Sequence, residues 1–348
     1  MHAEFDNRSD RSRGITSESA GGRRRTMLRR AAAFVAAGSM SLYLAVKIVW
    51  ITLELRHGTA DWVMLNLVTV VMALTGITLG LALGQSWGMR LPAWLVLPFA
   101  WIGSGFLVSL LPYMLVSSFL EQDPPAPGDG AAMPAWEAVF ISVGFAGMAV
   151  GLVVALPIYL AERWPHAFAG RVGRPGPEAG RAWTLLPVAA LAVVWSFWAA
   201  GGRAGLDPAA LAGWDANARV LVGDGALCAA LAGWSVWALS RWGGPRTPLW
   251  LPMAAGFVAS GSLFAWGSWK LLWVLLPGAY RPYEYRGVAV AEHAIAIVTG
   301  VAVLLTLLRE HRRRASAEGS TRNRSTTSGS IAAPTLDGAS SGSAPERT

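Results

Sequence analysis

The amino-acid sequence predicts an all-α membrane protein with eight transmembrane helices, arranged as two tandem four-helix repeats. Three observations predict this class. Of the 348 residues, 53% are hydrophobic and only 14% are charged, whereas about 25% of the residues in a typical soluble domain are charged. Much of the charge lies near the two ends of the chain, which leaves long uncharged runs between them. A short Trp-rich element also occurs twice, at a fixed spacing.

Eight runs reach the length of about 20 mostly apolar residues that a helix needs to cross the hydrocarbon core of a bilayer. Backbone polar groups in hydrocarbon must be paired within the segment, so we expect these runs to be helices. Five of the runs carry no formal charge, and the other three contain ionisable residues. In chain order they cover residues 31–55, 62–89, 91–120, 138–161, 182–202, 220–240, 247–269 and 287–308.

The distribution of arginine predicts the orientation of these helices. Arginines are dense before the first run and after the last, and four more lie in the connection between the fourth and fifth runs. The connection 121–134 has no Lys or Arg and is acidic. Because cytoplasmic connections carry the excess of positive charge, both termini are expected in the cytoplasm of a bacterium, with 121–134 outside its inner membrane.

The net charge of +8 and the pI near 10.3 can be explained in two ways. A strongly basic chain is typical of nucleic-acid binding, but the basic residues here flank apolar runs. We therefore expect them to meet the anionic inner leaflet of the lipid bilayer, with no nucleic acid as partner.

The internal repeat has a constant offset of 156 residues. Trp-Gly-x-Arg-x-Pro-x-Trp at 87–94 precedes the third predicted helix, and a related element at 242–250 precedes the seventh. The matched pairs are Arg90 and Arg246, Pro92 and Pro248, Trp94 and Trp250, Ser104-Gly105 and Ser260-Gly261, and Leu107 and Leu263. Each unit holds an even number of helices, so the two repeats are expected in parallel orientation.

This repeat predicts the domain organisation. A basic cytoplasmic tail covers 1–30, the first four-helix repeat 31–161, a cytoplasmic linker 162–182 and the second repeat 183–310. The remainder, 311–348, is rich in Ser, Thr, Gly and Ala and is predicted to be a disordered cytoplasmic tail.

Part of the first repeat also resembles a family of integral membrane proteins of actinobacteria with no assigned activity. The resemblance covers residues around 41 to 110: the segments 43–50 and 66–69, and the 87–94 element leading into Trp101-Ile-Gly-Ser-Gly. It implies a polytopic membrane protein and assigns no functional residues.

Ionisable residues within the spans are the candidate functional residues, because burying them in a membrane is expensive. With the predicted orientation, nearly all of them lie in the outer half of the bilayer. We expect a shared outward-facing polar cavity with aromatic residues at its rim. The cavity residues are Lys47, Glu54, Glu137, Asp224, Lys270, Glu292 and His293, and the rim residues are Tyr43, Trp50, Trp266 and Trp273. The alternative is that each lysine extends to the membrane surface and each acid caps a helix start.

These residues suggest three functions. The first is a small-molecule permease or binding protein that uses the outer cavity. The second is a structural or scaffold protein of the envelope with neither transport nor catalysis. The third is a haem or redox protein, with His57 and His293 as axial ligands.

No catalytic residue, metal site or cofactor is expected from the motifs. The chain has no phosphate-binding Walker loop, no Gly-x-Ser-x-Gly elbow and no His-Glu-x-x-His sequence. Its single cysteine, Cys228, excludes an internal disulfide and a thiol zinc cluster. The five histidines have no metal-binding spacing. An enzyme is therefore not expected.

The predicted topology is tested by reporter fusions at Ala126 and Arg174. The first position lies in the acidic connection and the second in the arginine-rich one, so the two fusions should report opposite sides of the membrane. The same compartment for both would contradict the predicted orientation.

Overall fold

Helices account for nearly all of the regular structure in the computed structural model, which describes residues 3–57, 60–120, 135–165, 170–172, 182–240, 247–276 and 282–329. Over these residues there are nine α-helices and no β-strand. The chain forms two units, Met1–Leu308 and Arg309–Thr348. The helices are α1 (Ala3–His57), α2 (Ala60–Gly84), α3 (Ala93–Leu107), α4 (Leu110–Ser117), α5 (Ala135–Arg163), α6 (Leu185–Ala199), α7 (Ala216–Ser240), α8 (Trp250–Leu275) and α9 (Arg286–Gly329).

Six helical segments of the described residues are long and apolar enough to cross a membrane. They are Gly21–Leu53, Asn66–Gly84, Ala93–Ser117, Trp136–Arg163, Ala216–Ser240 and Arg286–Arg313. The chain is therefore an all-helical protein of the multi-pass membrane type. Helix α6 is apolar but shorter, with 15 residues. Helix α8 is long, but it contains Lys270 and several Gly, Ser and Trp residues.

The span Ala93–Ser117 is interrupted where α3 meets α4. Pro112 has no backbone N–H, so it cannot donate the helical hydrogen bond to the carbonyl of Val108. The backbone N–H of Leu111 donates to Val108 instead, at 3.2 Å. The hydroxyl of Ser109 donates to the carbonyl of Gly105, a contact that bends helices. The third predicted run is thus one span made of two helical segments.

Two of the predicted boundaries differ from the structure. Helix α1 begins at Ala3, although 1–30 was predicted as a separate tail, and α9 continues to Gly329, although 311–348 was predicted to be disordered. The stretches 3–30 and 311–329 contain no proline, the residue that breaks a helix most strongly. Composition predicted their polarity, but polarity alone does not exclude a helix.

Small residues bring α1 close to both α2 and α5. A Cβ on Gly151 of α5 would lie 2.6 Å from the Cβ of Ala36, and one on Gly80 of α2 would lie 3.1 Å from the Cβ of Ala37. Such close approach is how helices pack where the lipid is as apolar as their own side chains.

Arg29 connects α1 to the ends of α2 and α5. Its guanidinium forms an ion pair with Glu162 of α5, at 2.9 Å, and donates to the carbonyl of Leu83 in α2. Nearby, Arg163 donates to the carbonyl of Gly88 at 3.0 Å and to that of Leu91. The first copy of the repeated element is therefore fixed to the end of α5.

Helices α3 and α8 meet backbone to backbone. A Cβ on Gly105 would lie 2.1 Å from the carbonyl carbon of Gly261, which is too close for any side chain. Beside this contact, the indole Nε1 of Trp101 donates to the hydroxyl of Ser260 at 2.9 Å. The ring of Trp101 also stacks on Phe264, with centroids 4.8 Å apart. The first four and the last four predicted helices are joined here.

We predict that Gly105→Ala destabilises the protein by forcing α3 away from α8. Overpacking of this kind costs about 1–3 kcal/mol of the free energy of unfolding. The matched control is Gly38→Ala in α1, where an added Cβ meets no atom of the described residues within 4 Å. The thermal unfolding midpoint of the purified protein should fall for Gly105→Ala and stay or rise for Gly38→Ala. Equal midpoints would contradict the close packing of α3 and α8.

Candidate functional site

A cavity lies between α7, α8 and α9, and we call it the polar cavity. Its volume is about 50 Å³, and a buried water needs roughly 10–15 Å³ of such space. Trp195 of α6, Leu110 of α4 and Ser262 of α8 are among its other wall residues. Its ionisable wall residues are Asp224, Lys270, Glu284, Glu292 and His293.

The close approach of α8 and α9 places Lys270 and Glu292 at the same cavity. A Cβ on Gly267 would lie 3.2 Å from the Cβ of Ala296 and 3.2 Å from the carbonyl of His293. Lys270 comes three residues after Gly267, on the same face of α8. Glu292 comes four residues before Ala296, again on one helix face. Glycine at 267 thus lets the ammonium and the carboxylate share one cavity.

Glu292 contacts a nitrogen through each of its carboxylate oxygens. The indole Nε1 of Trp195 donates to Oε2 at 2.8 Å, and Nε2 of His293 lies 3.5 Å from Oε1. Glu292 is 7% exposed and His293 is 2% exposed. The pair therefore belongs to the protein interior, where an ionised group must be balanced by neighbours.

Lys270 does not form a direct ion pair within the part of the chain that the structure describes. No carboxylate oxygen of those residues lies within 4 Å of its ammonium nitrogen. It interacts electrostatically with both Glu292 and His293 from across the cavity. Among the same residues, Oδ1 of Asp224 is buried and accepts no hydrogen bond. The charged groups thus surround a space without pairing directly across it.

Two connecting segments, 200–215 and 282–285, pair with each other and contribute Glu284 to the cavity wall. We call them the cap. The backbone N–H of Asp207 donates to the carbonyl of Tyr283 at 2.8 Å, and that of Tyr285 to the carbonyl of Gly205 at 3.0 Å. Gly205 has φ +88°, which favours glycine. Between these bonds Glu284 is held opposite Leu206, and only 6% of it is exposed.

Aromatic packing stabilises the cap. The rings of Trp214 and Tyr283 meet edge to face, with centroids 5.0 Å apart. Partial burial raises the pKa of the Tyr283 phenol above its ordinary value, and the nearby Asp215, Glu284 and Tyr113 raise it further.

A wider depression of about 550 Å³ adjoins the polar cavity through Asp224, which lines both spaces. Tyr113 of α4 and Arg219 of α7 form part of its wall. The guanidinium Nε of Arg219 donates to the carbonyl of Ala199 at 3.0 Å, and the Tyr113 hydroxyl donates to the side chain of Asn217 at 3.1 Å.

The structure separates the predicted site residues into two groups. Asp224, Trp266, Lys270, Glu292 and His293 line the polar cavity. Tyr43, Lys47, Trp50 and Glu137 lie on α1 and α5 and do not line it, and neither does Trp273, which is buried in α8. The side chain of Glu54 lies outside the described residues.

Helices α1 and α5 carry polar residues that lie apart from the polar cavity. The ammonium of Lys47 lies 5.5 Å from the ring centroid of Tyr43 on the same helix. Glu137 is 4% exposed, and its Oε2 has no hydrogen-bond partner among the described residues. The single shared cavity predicted from depth in the membrane is therefore not what the described helices form.

Sequence patterns missed three polar wall residues, Trp195, Ser262 and Glu284. Glu284 lies in a connection and not in an apolar run, so the search for charges within spans passed over it. Trp195 and Ser262 carry no charge, so the same search did not select them. The aromatic cluster Tyr280-Arg-Pro-Tyr-Glu-Tyr around Glu284 was the available sign of an ordered connection.

We predict that alkaline pH loosens the cap through Tyr283. Because the pKa of Tyr283 is raised in the folded protein, the unfolded chain loses the phenol proton first. Stability should therefore fall as the pH rises above about 10, the ordinary tyrosine pKa. Tyr283→Phe should make the fall in thermal midpoint less steep between roughly pH 9.5 and 11.5. The exposed neighbour Tyr285 provides the control variant Tyr285→Phe, and identical slopes for all three proteins would contradict the assignment.

Comparison of the chain with protein-family models, with curated proteins and with solved structures found no match. The resemblance of residues around 41 to 110 to membrane proteins of actinobacteria therefore stays a prediction. The assignment of a function rests on the geometry of the polar cavity.

Proposed function

We propose that this chain is a multi-pass protein of the bacterial inner membrane that binds a small polar molecule in the polar cavity, as a permease or a binding protein. One observation carries this proposal. Five ionisable side chains from α7, α8, α9 and the cap converge on one cavity. A charged side chain at the centre of a membrane-spanning helix costs about 2.5–3.5 kcal/mol, so such residues are rarely kept without a function.

A contrast within the same protein supports a binding role for this cluster. Arg29 and Glu162 show what a purely structural pair looks like here: opposite charges in direct contact at 2.9 Å. In the polar cavity, Lys270 faces a space instead of a carboxylate of the described residues. A gap between charges is what a polar ligand or ordered water needs.

The proposal includes eight spans, with α6 and α8 crossing the membrane as well. The short 3₁₀ turn Ala182–Thr184 precedes α6 directly. Together they extend about 28 Å, close to the thickness of roughly 30 Å of a bilayer core. Much of α8 is buried within the bundle, as at Ala259, Gly261 and Ala265. It therefore needs less apolar surface than a lipid-facing helix.

We also propose that the two four-helix halves arose by duplication. Gly105 and Gly261 are equivalent under the offset of 156 residues, and they contact each other. Equivalent residues meet in this way on an axis that relates two repeats. With both termini in the cytoplasm, α8 runs outward and α9 inward, so the polar cavity lies towards the outer surface.

A structural or scaffold role is the second candidate, and the contacts among α1, α2 and α5 favour it. There, the ion pair between Arg29 and Glu162 and the contacts of Arg163 hold helix ends together. The third candidate, a haem protein, gains no support, because the cavity beside His293 is about 50 Å³. Even benzene occupies a cavity of about 150 Å³.

Cysteine accessibility tests the proposal. In a Cys228→Ser background, Ser262→Cys places a thiol in the wall of the polar cavity. Ser235→Cys is the matched control, because Ser235 is fully buried between α7 and α8 and is not part of that wall. Ag⁺, a thiol reagent small enough for a space of about 50 Å³, should modify Ser262→Cys and spare Ser235→Cys when it is added to intact cells in chloride-free buffer.

The scaffold role predicts that neither thiol reacts, because it requires no opening of the cavity to the outside. Reaction of Ser262→Cys only when the reagent is applied from the cytoplasmic side would contradict the outward-facing cavity as well.

A further inference from the structure

We propose that the ligand of the polar cavity is a small ammonium-type cation, of the size of ammonium or methylammonium. This inference rests on the proposed function and names the ligand class of the same site. It comes from the balance of charge around the cavity, from its size, and from its connection to the neighbouring depression.

The cavity wall has an excess of acid. Asp224, Glu284 and Glu292 face it, against the single ammonium of Lys270. With His293 neutral, full ionisation of the three carboxylates beside one ammonium gives a formal charge of −2, a state that burial disfavours unless a cation is bound. Unbalanced charge of one sign is costly where water is scarce. A bound monovalent cation reduces this imbalance, whereas an anion increases it.

The other wall residues also suit an ammonium group. Carboxylate oxygens accept the N–H donors of an ammonium, and the hydroxyl of Ser262 offers one further acceptor. The indole rings of Trp195 and Trp266 line the same space, and indole faces attract organic cations. A volume of about 50 Å³ limits the ligand to a few non-hydrogen atoms.

Asp224 gives such a cation a route. It lines both the polar cavity and the depression of about 550 Å³ beside it. Its Oδ1 is buried and accepts no hydrogen bond from the described residues. A cation that leaves the depression therefore meets Asp224 first and then Glu292, which already accepts a hydrogen bond from Trp195 at 2.8 Å.

The test uses the full-length protein in lipid nanodiscs, with methylammonium, acetate and acetamide as cationic, anionic and neutral probes of similar size. Methylammonium should raise the thermal midpoint in a saturable manner, and acetate and acetamide should not. Glu292→Gln should weaken methylammonium binding about tenfold or more, since a charged hydrogen-bond acceptor is lost.

Two further variants make the result specific. Glu137→Gln changes a buried carboxylate outside the polar cavity and should leave methylammonium binding unchanged. Asp224 is only partly buried, so Asp224→Asn should fold even if Glu292→Gln does not. It should also weaken binding.

The outcomes separate this inference from the proposed function. One outcome is that acetate or acetamide binds saturably where methylammonium does not, and that this binding is lost in Asp224→Asn or Glu292→Gln. That result would reject a cationic ligand and would leave the polar cavity as a binding site for another ligand. Uptake of protons alone, with no methylammonium binding, also overturns it. If no probe binds and Ser262→Cys resists modification from outside, the proposed function fails with it.

Discussion

Hydrocarbon offers no hydrogen-bond partners, and most of this structure follows from that constraint. It forces the backbone of each apolar run into a helix, where the chain pairs its own N–H and C=O groups. It also means that an ionisable side chain within the bilayer must find a partner or water inside the protein. Arg29, buried beside the ends of α2 and α5, is likewise paired, with Glu162 and a backbone carbonyl. The charged groups on α7, α8 and α9 meet it by sharing one cavity.

Close helix packing makes that sharing possible. Gly267 brings α8 against α9, which places Lys270 and Glu292 on the same space. Gly105 and Gly261 bring α3 against α8, and Leu110, just beyond them, becomes part of the cavity wall. The cap then adds Glu284 through backbone hydrogen bonds between 200–215 and 282–285. The cavity therefore depends on contacts between segments that are far apart in the chain.

The sequence predicted the parts that depend on single segments. Each of the eight runs overlaps a helix, because run length and apolar content are local properties, although four of the runs extend past a helix end. The depth of a residue in the membrane follows from its position along its own helix. For this reason the sequence grouped Asp224, Lys270, Glu292 and His293 together. Which helices are neighbours is a tertiary property, and depth alone joined Lys47 and Glu137 to a cavity that they do not line. Glu284 was missed because its position depends on the pairing of two connections.

The most direct measurement of the central claim is an experimental map of the protein in lipid nanodiscs, at a resolution that shows ordered water. We expect density for water or a small ligand between Lys270, Glu292 and Ser262, with the ammonium of Lys270 directed into that space. An ammonium directed at lipid headgroups, with the space between α7, α8 and α9 filled by side chains, would contradict a binding site in this cavity.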